Sequence, residues 1–157
     1  MQTPSQVPIA RVAFAALLLV AALQPRAAHA GLGQPEAVVS ADVQHLNGSI
    51  KSTERTTYTL HEIQLPSGSV LREFAVPGGN VFAVAWSGPR IPDLRQALGS
   101  YFDVYVAAAQ TPHAGHTHLQ ILQDGFVLES AGHMRAYSGR AYLPQSIPAG
   151  TSMDEIR

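Results

Sequence analysis

The sequence predicts an α+β fold: an antiparallel sheet of about six short strands, one long helix packed across a face, and a shorter N-terminal helix. Three observations predict it. Short apolar segments are joined by hairpin-length turns, which makes neighbouring strands pair antiparallel. Val81 to Trp86 is apolar at every position, the pattern of a strand covered on both sides. Leu94, Leu98, Tyr101 and Tyr105 fall on one helical stripe, and strands segregated from helices place that helix across the sheet.

Taken in order, Pro35 to Leu46 reads as the short helix. Pro35 suits a first helical turn, Val39, Val43 and Leu46 recur at helical spacing, and Asn47-Gly48 is a stop signal. Ser49 to Arg55 is polar and reads as a connector. Thr56 to Leu65 is β-branched and aromatic, hence a strand. Its apolar phase switches at His61-Glu62, which predicts a bulge or bend there. Pro66-Ser67-Gly68 is a turn, Val70 to Val76 a second strand, and Pro77 to Asn80 another turn. In the third strand Phe82, Val84 and Trp86 form a bulky face, and Val81, Ala83 and Ala85 a small face that a helix can approach closely. Pro89 and Pro92 turn the corner. Asp93 with Gln96 has the spacing of a capping box for a helix over Leu94 to Gln110, with Gly99 as a point of close contact or kinking. Asp124-Gly125 and Ser138-Gly139 read as two-residue hairpin turns with Gly132 breaking the run between them. The tail from Met153 to Arg157 reads as frayed.

Residues 1–30 are set apart from this domain. Arg11 precedes an apolar run of twelve residues, Val12 to Leu23, where a membrane-spanning helix needs about 20. Ala28-His29-Ala30 offers the small residues of a signal-peptidase site. The expectation is a signal peptide cleaved after Ala30, with no stable transmembrane anchor afterwards, and a single domain over residues 31–157. Without Arg11 and Arg26 the ten basic residues fall to eight against eleven acidic, the opposite of a nucleic-acid-binding balance. The chain has no Cys, so disulfides, thiol catalysis and thiolate metal sites are excluded.

Two blocks, GGNVFAVAWSGPRIPDLRQALGSYF and SAGHMRAYSGRAYLPQSIPAG, occur with the segment YTLHEIQLPSGSVLREF and the exported start. On these the chain resembles an uncharacterised family of short exported proteobacterial proteins, the domain of unknown function 2844. The resemblance implies a bacterial protein of the periplasm or one that is secreted. It implies no activity, ligand or catalytic residue.

Complete catalytic signatures are missing. There is no G-x-S-x-G, no phosphate-binding glycine loop ahead of a helix, and His61-Glu62 lacks the second His of a zinc-protease motif. No cofactor is called for. Two constellations remain. His133, Arg135 and Tyr137 alternate on one strand face with Arg140 just beyond, a set able to hold an anion through forked guanidinium hydrogen bonds. The competing reading pairs Arg135 or Arg140 internally with Glu129, Glu73 or Asp93. His113, His116 and His118 form H-x-x-H-x-H, and three imidazoles this close can converge on one metal ion. Trp86, Tyr101, Phe102 and Tyr105 read as core. The sequence therefore points to a non-catalytic exported protein that binds an envelope protein or a small anionic ligand. The alternatives are a small periplasmic hydrolase using His133 with Arg135 or Arg140, and a metal-binding protein using the His113–His118 loop.

Overall fold

The computed structural model describes residues 31–111 and 118–157. Seven strands form one antiparallel sheet: β1 (Ser49–Glu54), β2 (Thr59–Gln64), β3 (Val70–Ala75), β4 (Val81–Gly88), β5 (His118–Gln123), β6 (Phe126–His133) and β7 (Ala136–Tyr142). Their spatial order is β1-β2-β3-β4-β7-β6-β5. The sheet is two meanders, β1 to β4 and β5 to β7, joined where β7 returns to pair with β4. Each meander is preceded by helix: α1 (Val39–His45) before the first, α2 (Leu94–Leu98) and α3 (Phe102–Gln110) before the second.

The fold is therefore mostly β, and the expected six-strand sheet under one long helix is corrected on two points. First, Ser49–Glu54 is an edge strand and not a connector; its polar sequence, SIKSTE, reflects a strand exposed along almost its whole length. Charged and polar side chains on an edge also discourage pairing with other chains. Second, the long helix is broken. Gly99 has φ +53°, which ends α2, and a 3-10 turn over Gly99–Tyr101 separates it from α3. Only a residue tolerant of left-handed backbone fits there.

β4 is central and buried on both sides. Val81, Val84 and Trp86 pack with Leu94, Ala97 and Leu98 under the helices. Phe82, Ala83 and Ala85 pack on the other side with Tyr58, Phe74 and Ile156. The helices thus cover a face carrying Trp86, not the small face. A bulge explains the changed phase: Phe74 pairs with Ala83 but Ala75 with Val81, so Phe82 is the extra residue. No shift occurs at His61-Glu62, where β2 keeps one register against both neighbours. The apolar phase switches there because both faces are covered. Ile63 lies in the helix-side core and Leu60 packs into the opposite one.

The small-face cover is the C-terminal segment. Ile156 is 0% exposed and Met153 packs beside it, so the tail expected to fray is docked. Tyr58 Oη donates to Glu155 Oε2 at 2.6 Å. Burial, with that hydrogen bond, pushes the Tyr58 hydroxyl up to about 12.

Asp124-Gly125 forms the β5–β6 turn as expected, but Gly139, read as a turn residue, and Gly132, read as a break, lie in strands. The hairpin tip is Met134-Arg135, with φ +66° at Arg135, and β6 and β7 pair from His133↔Ala136 inward. Gly139 lies opposite Trp86 and Gly132 opposite Tyr137. A Cβ at either position would overlap the partner's ring. Each glycine lets a neighbouring aromatic lie across its strand.

A buried polar cluster ties helices to sheet. Asp42 on α1 and Glu73 on β3 are both 0% exposed. The Gln96 side-chain amide donates to Asp42 Oδ1. Asp93 caps α2 by accepting from the N–H groups of Arg95 and Gln96 at 3.0 and 3.3 Å. The capping box is thus half formed, because the Gln96 side chain is spent on Asp42. Burial first, then the neighbouring Asp42, hold Glu73 well above the ordinary carboxyl range. As a neutral acid, Glu73 can donate to Asp42, which provides for a carboxyl pair far from water.

Candidate functional site: a groove on the half-covered face

The C-terminal segment covers only part of its face. Over β7, β6 and β5 that face stays open, and cross-strand pairing dictates what lines it. Residues directly opposite one another point to the same side of a sheet. One row crosses four strands as Ser87, Ser138, Ala131 and His118. The next row is Ala85, Arg140, Glu129 and Gln120. The first row is of small side chains in its middle and leaves space. The second row is bulky and charged, and Ile156 and Arg157 of the tail form a wall. The result is a groove of about 600 Å³.

The charges in it are unequally engaged. Arg140 Nε and Nη2 lie 2.8 and 2.7 Å from Glu129 Oε2. Arg140 Nη1 donates to the carbonyls of Met153 and Ile156, at 3.0 and 3.3 Å. The guanidinium thus fastens the tail to β6 and β7. Gln120 Nε2 reaches Glu129 Oε1 at a long 3.5 Å. Arg157, at the mouth, forms no ion pair among the described residues.

Among the described residues, those singled out in the sequence do not converge. Arg140 lies in the groove, in the internal pairing with Glu129. His118 lies at the far end of the small-residue row. His133 and Arg135 are exposed at the β6–β7 tip, beside Met134, which is 88% exposed. Tyr137 points to the opposite face, its ring over Gly132. His133 pairs with Ala136, so with a strand rise of about 3.4 Å per residue it stands roughly 14 Å from Arg140 along the sheet. His113 and His116 lie outside the described residues. The groove residues missed in the sequence are Ser87, Ser138, Ala131 and Arg157. Only the β4–β7 pairing brings Ser87 to Ser138, and no local motif announces it.

A family model matches residues 28–156, described as a protein of unknown function (DUF2844). The chain belongs to the DUF2844 family. The match spans all seven strands and the docked tail as far as Ile156, so every groove residue but Arg157 lies within the DUF2844 region. No curated protein and no solved structure matches the chain.

Proposed function

We propose that this DUF2844 protein is an exported binding protein of the periplasm or envelope that takes a small amphipathic anion in the groove. The observation that carries this is the groove itself. A concave site with an apolar floor and a few polar groups is the usual form of a small-ligand site. Ala131, Gly139 and Ile156 supply apolar contact, Ser87 and Ser138 supply hydroxyls, and Arg157 supplies a cation that forms no ion pair among the described residues. The Glu129–Arg140 pair is self-neutralised and sets the groove's shape.

Export is supported by the Arg11 start, the Val12–Leu23 run and the Ala28–Ala30 site. Expressed with its leader in a Gram-negative host, the protein is expected in the periplasmic fraction with Gly31 at its N-terminus. Recovery from the cytoplasm with residues 1–30 intact would refute export.

Ligand binding is tested with the dye anilinonaphthalene sulfonate, an amphipathic anion. The folded protein is expected to bind it saturably at one site. Ser138→Trp, which fills the small-residue row from an exposed position, should abolish binding without loss of fold. Arg157→Glu should weaken binding roughly tenfold, the size of one charge-assisted contact. Binding unchanged in both variants would place the dye elsewhere and overturn the reading.

A further inference from the structure

At the opposite edge of the sheet, three side chains from three elements form a chain of hydrogen bonds. Ser52 on β1 lies directly across from His61 on β2. Ser52 Oγ is 2.8 Å from His61 Nδ1. His61 Nε2 is 3.0 Å from Glu36 Oε1, in the 3-10 turn before α1. The second oxygen of Glu36 accepts the Gly78 N–H at 2.8 Å, which fixes the carboxylate. The His61 and Glu36 side chains are only 10% and 22% exposed, while Ser52 is exposed.

This order of groups determines which proton sits where. A carboxylate on Nε2 keeps the imidazole proton on that nitrogen. The Nδ1 lone pair is then free to accept from the Ser52 hydroxyl. Nucleophile, base and orienting carboxylate are recognised by these roles, not by sequence position. A cavity of about 410 Å³ opens beside the three, between α1 and β1, with Ala37, Val39, Val43 and Ile50 among its walls. As an edge strand, β1 also leaves alternate N–H groups outside the ladder, a source of donors close to Ser52.

We propose that Ser52 is an activated nucleophile and that this crevice cleaves carboxylic esters with a short apolar acyl group. Ser52 Oγ attacks the ester carbon as its proton passes to His61 Nδ1. The carbon–oxygen bond to the alcohol breaks, and the alcohol leaves with the proton from Nδ1. Water then attacks the acyl-Ser52 ester, giving its proton to Nδ1. The carboxylic acid departs and Ser52 Oγ recovers the proton. Glu36 is a positioning residue: it holds the tautomer and faces the imidazolium that forms. The site is separate from the groove, and neither reading depends on the other.

The test is covalent labelling by a fluorophosphonate probe, with the site mapped by peptide mass spectrometry, alongside release of nitrophenol from p-nitrophenyl acetate. Wild-type protein is expected to label at Ser52 and to turn over the ester. Ser52→Ala, an exposed change on an edge strand, should abolish both. His61→Gln should slow labelling at least about 100-fold, the usual scale of a general base. Glu36→Ala should slow it at least about tenfold. Glu36→Gln, which keeps an acceptor for Nε2–H, should recover part of the loss; a role in folding alone would not be rescued in labelling rate at an unchanged melting temperature. Absence of labelling in folded wild type, labelling at another residue, or equal rates in wild type and His61→Gln would each overturn the proposal.

Discussion

Ile156→Ala is expected to lower the stability of the folded protein by about 2–5 kcal/mol, the range for truncating a fully buried branched side chain. The residue is second from the end of the chain, where such a change ordinarily costs little. Here its side chain is 0% exposed and fills the core formed by Tyr58, Phe74, Phe82, Ala83 and Ala85. Ile147 and Met153 of the same C-terminal segment pack against this core, and the helices lie on the opposite face. The segment is held at three further points, by Tyr58 to Glu155, by Arg140 to two carbonyls, and by Thr57 to Thr151 at 2.8 Å. The truncation should therefore leave a cavity beneath a tethered chain instead of simply freeing it. Urea unfolding should show a lower midpoint at an unchanged slope. A loss below about 0.5 kcal/mol, the surface range, would mean that the tail does not cover this face. Because Ile156 and Arg157 also wall the groove, the same variant should bind the dye more weakly.

The difference between sequence and structure follows from which signals are local. The β4 segment, the Asp93 cap and the Asp124-Gly125 turn each declare themselves within a few residues, and each is present. Gly139 and Gly132 misled for a physical reason. Glycine marks a turn when the backbone needs positive φ, but it also marks a strand position over which another side chain must lie. Which applies depends on Trp86 and Tyr137, and the first of these comes from a strand over fifty residues away. The same nonlocality hid both sites. Ser87 and Ser138 meet only through the β4–β7 pairing. Ser52 and His61 are hairpin neighbours, but β1 looked like a connector because an exposed edge strand is polar on both faces. The alternation in Thr56 to Leu65 was legible as a conflict. Its cause, a sheet buried on both sides, needed the docked tail to be known.

Glu73→Gln is expected to change how stability depends on pH, with the largest gain at alkaline pH. The folded-state pKa of Glu73 is raised, so the folded protein keeps a proton that the unfolded chain releases near pH 4.3. In the window between those two values the folded state binds more protons than the unfolded state. Stability must then fall as pH rises. The contribution is fully present below about pH 4.3 and is lost as pH climbs through the folded-state value. The slope for one proton is at most about 1.4 kcal/mol per pH unit. A carboxamide has no proton to lose, yet its N–H can donate to Asp42 as the neutral acid does. Urea unfolding between pH 5 and 9 should show the variant gaining on the wild type as pH rises. Contributions common to both proteins cancel in the difference. Parallel curves would mean that Glu73 is not the group that carries the proton. The variant also separates two uses of buried acid in this fold. Glu73 and Asp42 are sealed from water and fasten α1 and α2 to the sheet, whereas Glu36 stands at an open crevice, its carboxyl held below the ordinary range against the opposing effect of burial by the hydrogen bonds from Gly78, His61 and Thr59. Glu73→Gln should therefore gain stability over the wild type at alkaline pH while leaving labelling at Ser52 unchanged, whereas Glu36→Ala should slow that labelling.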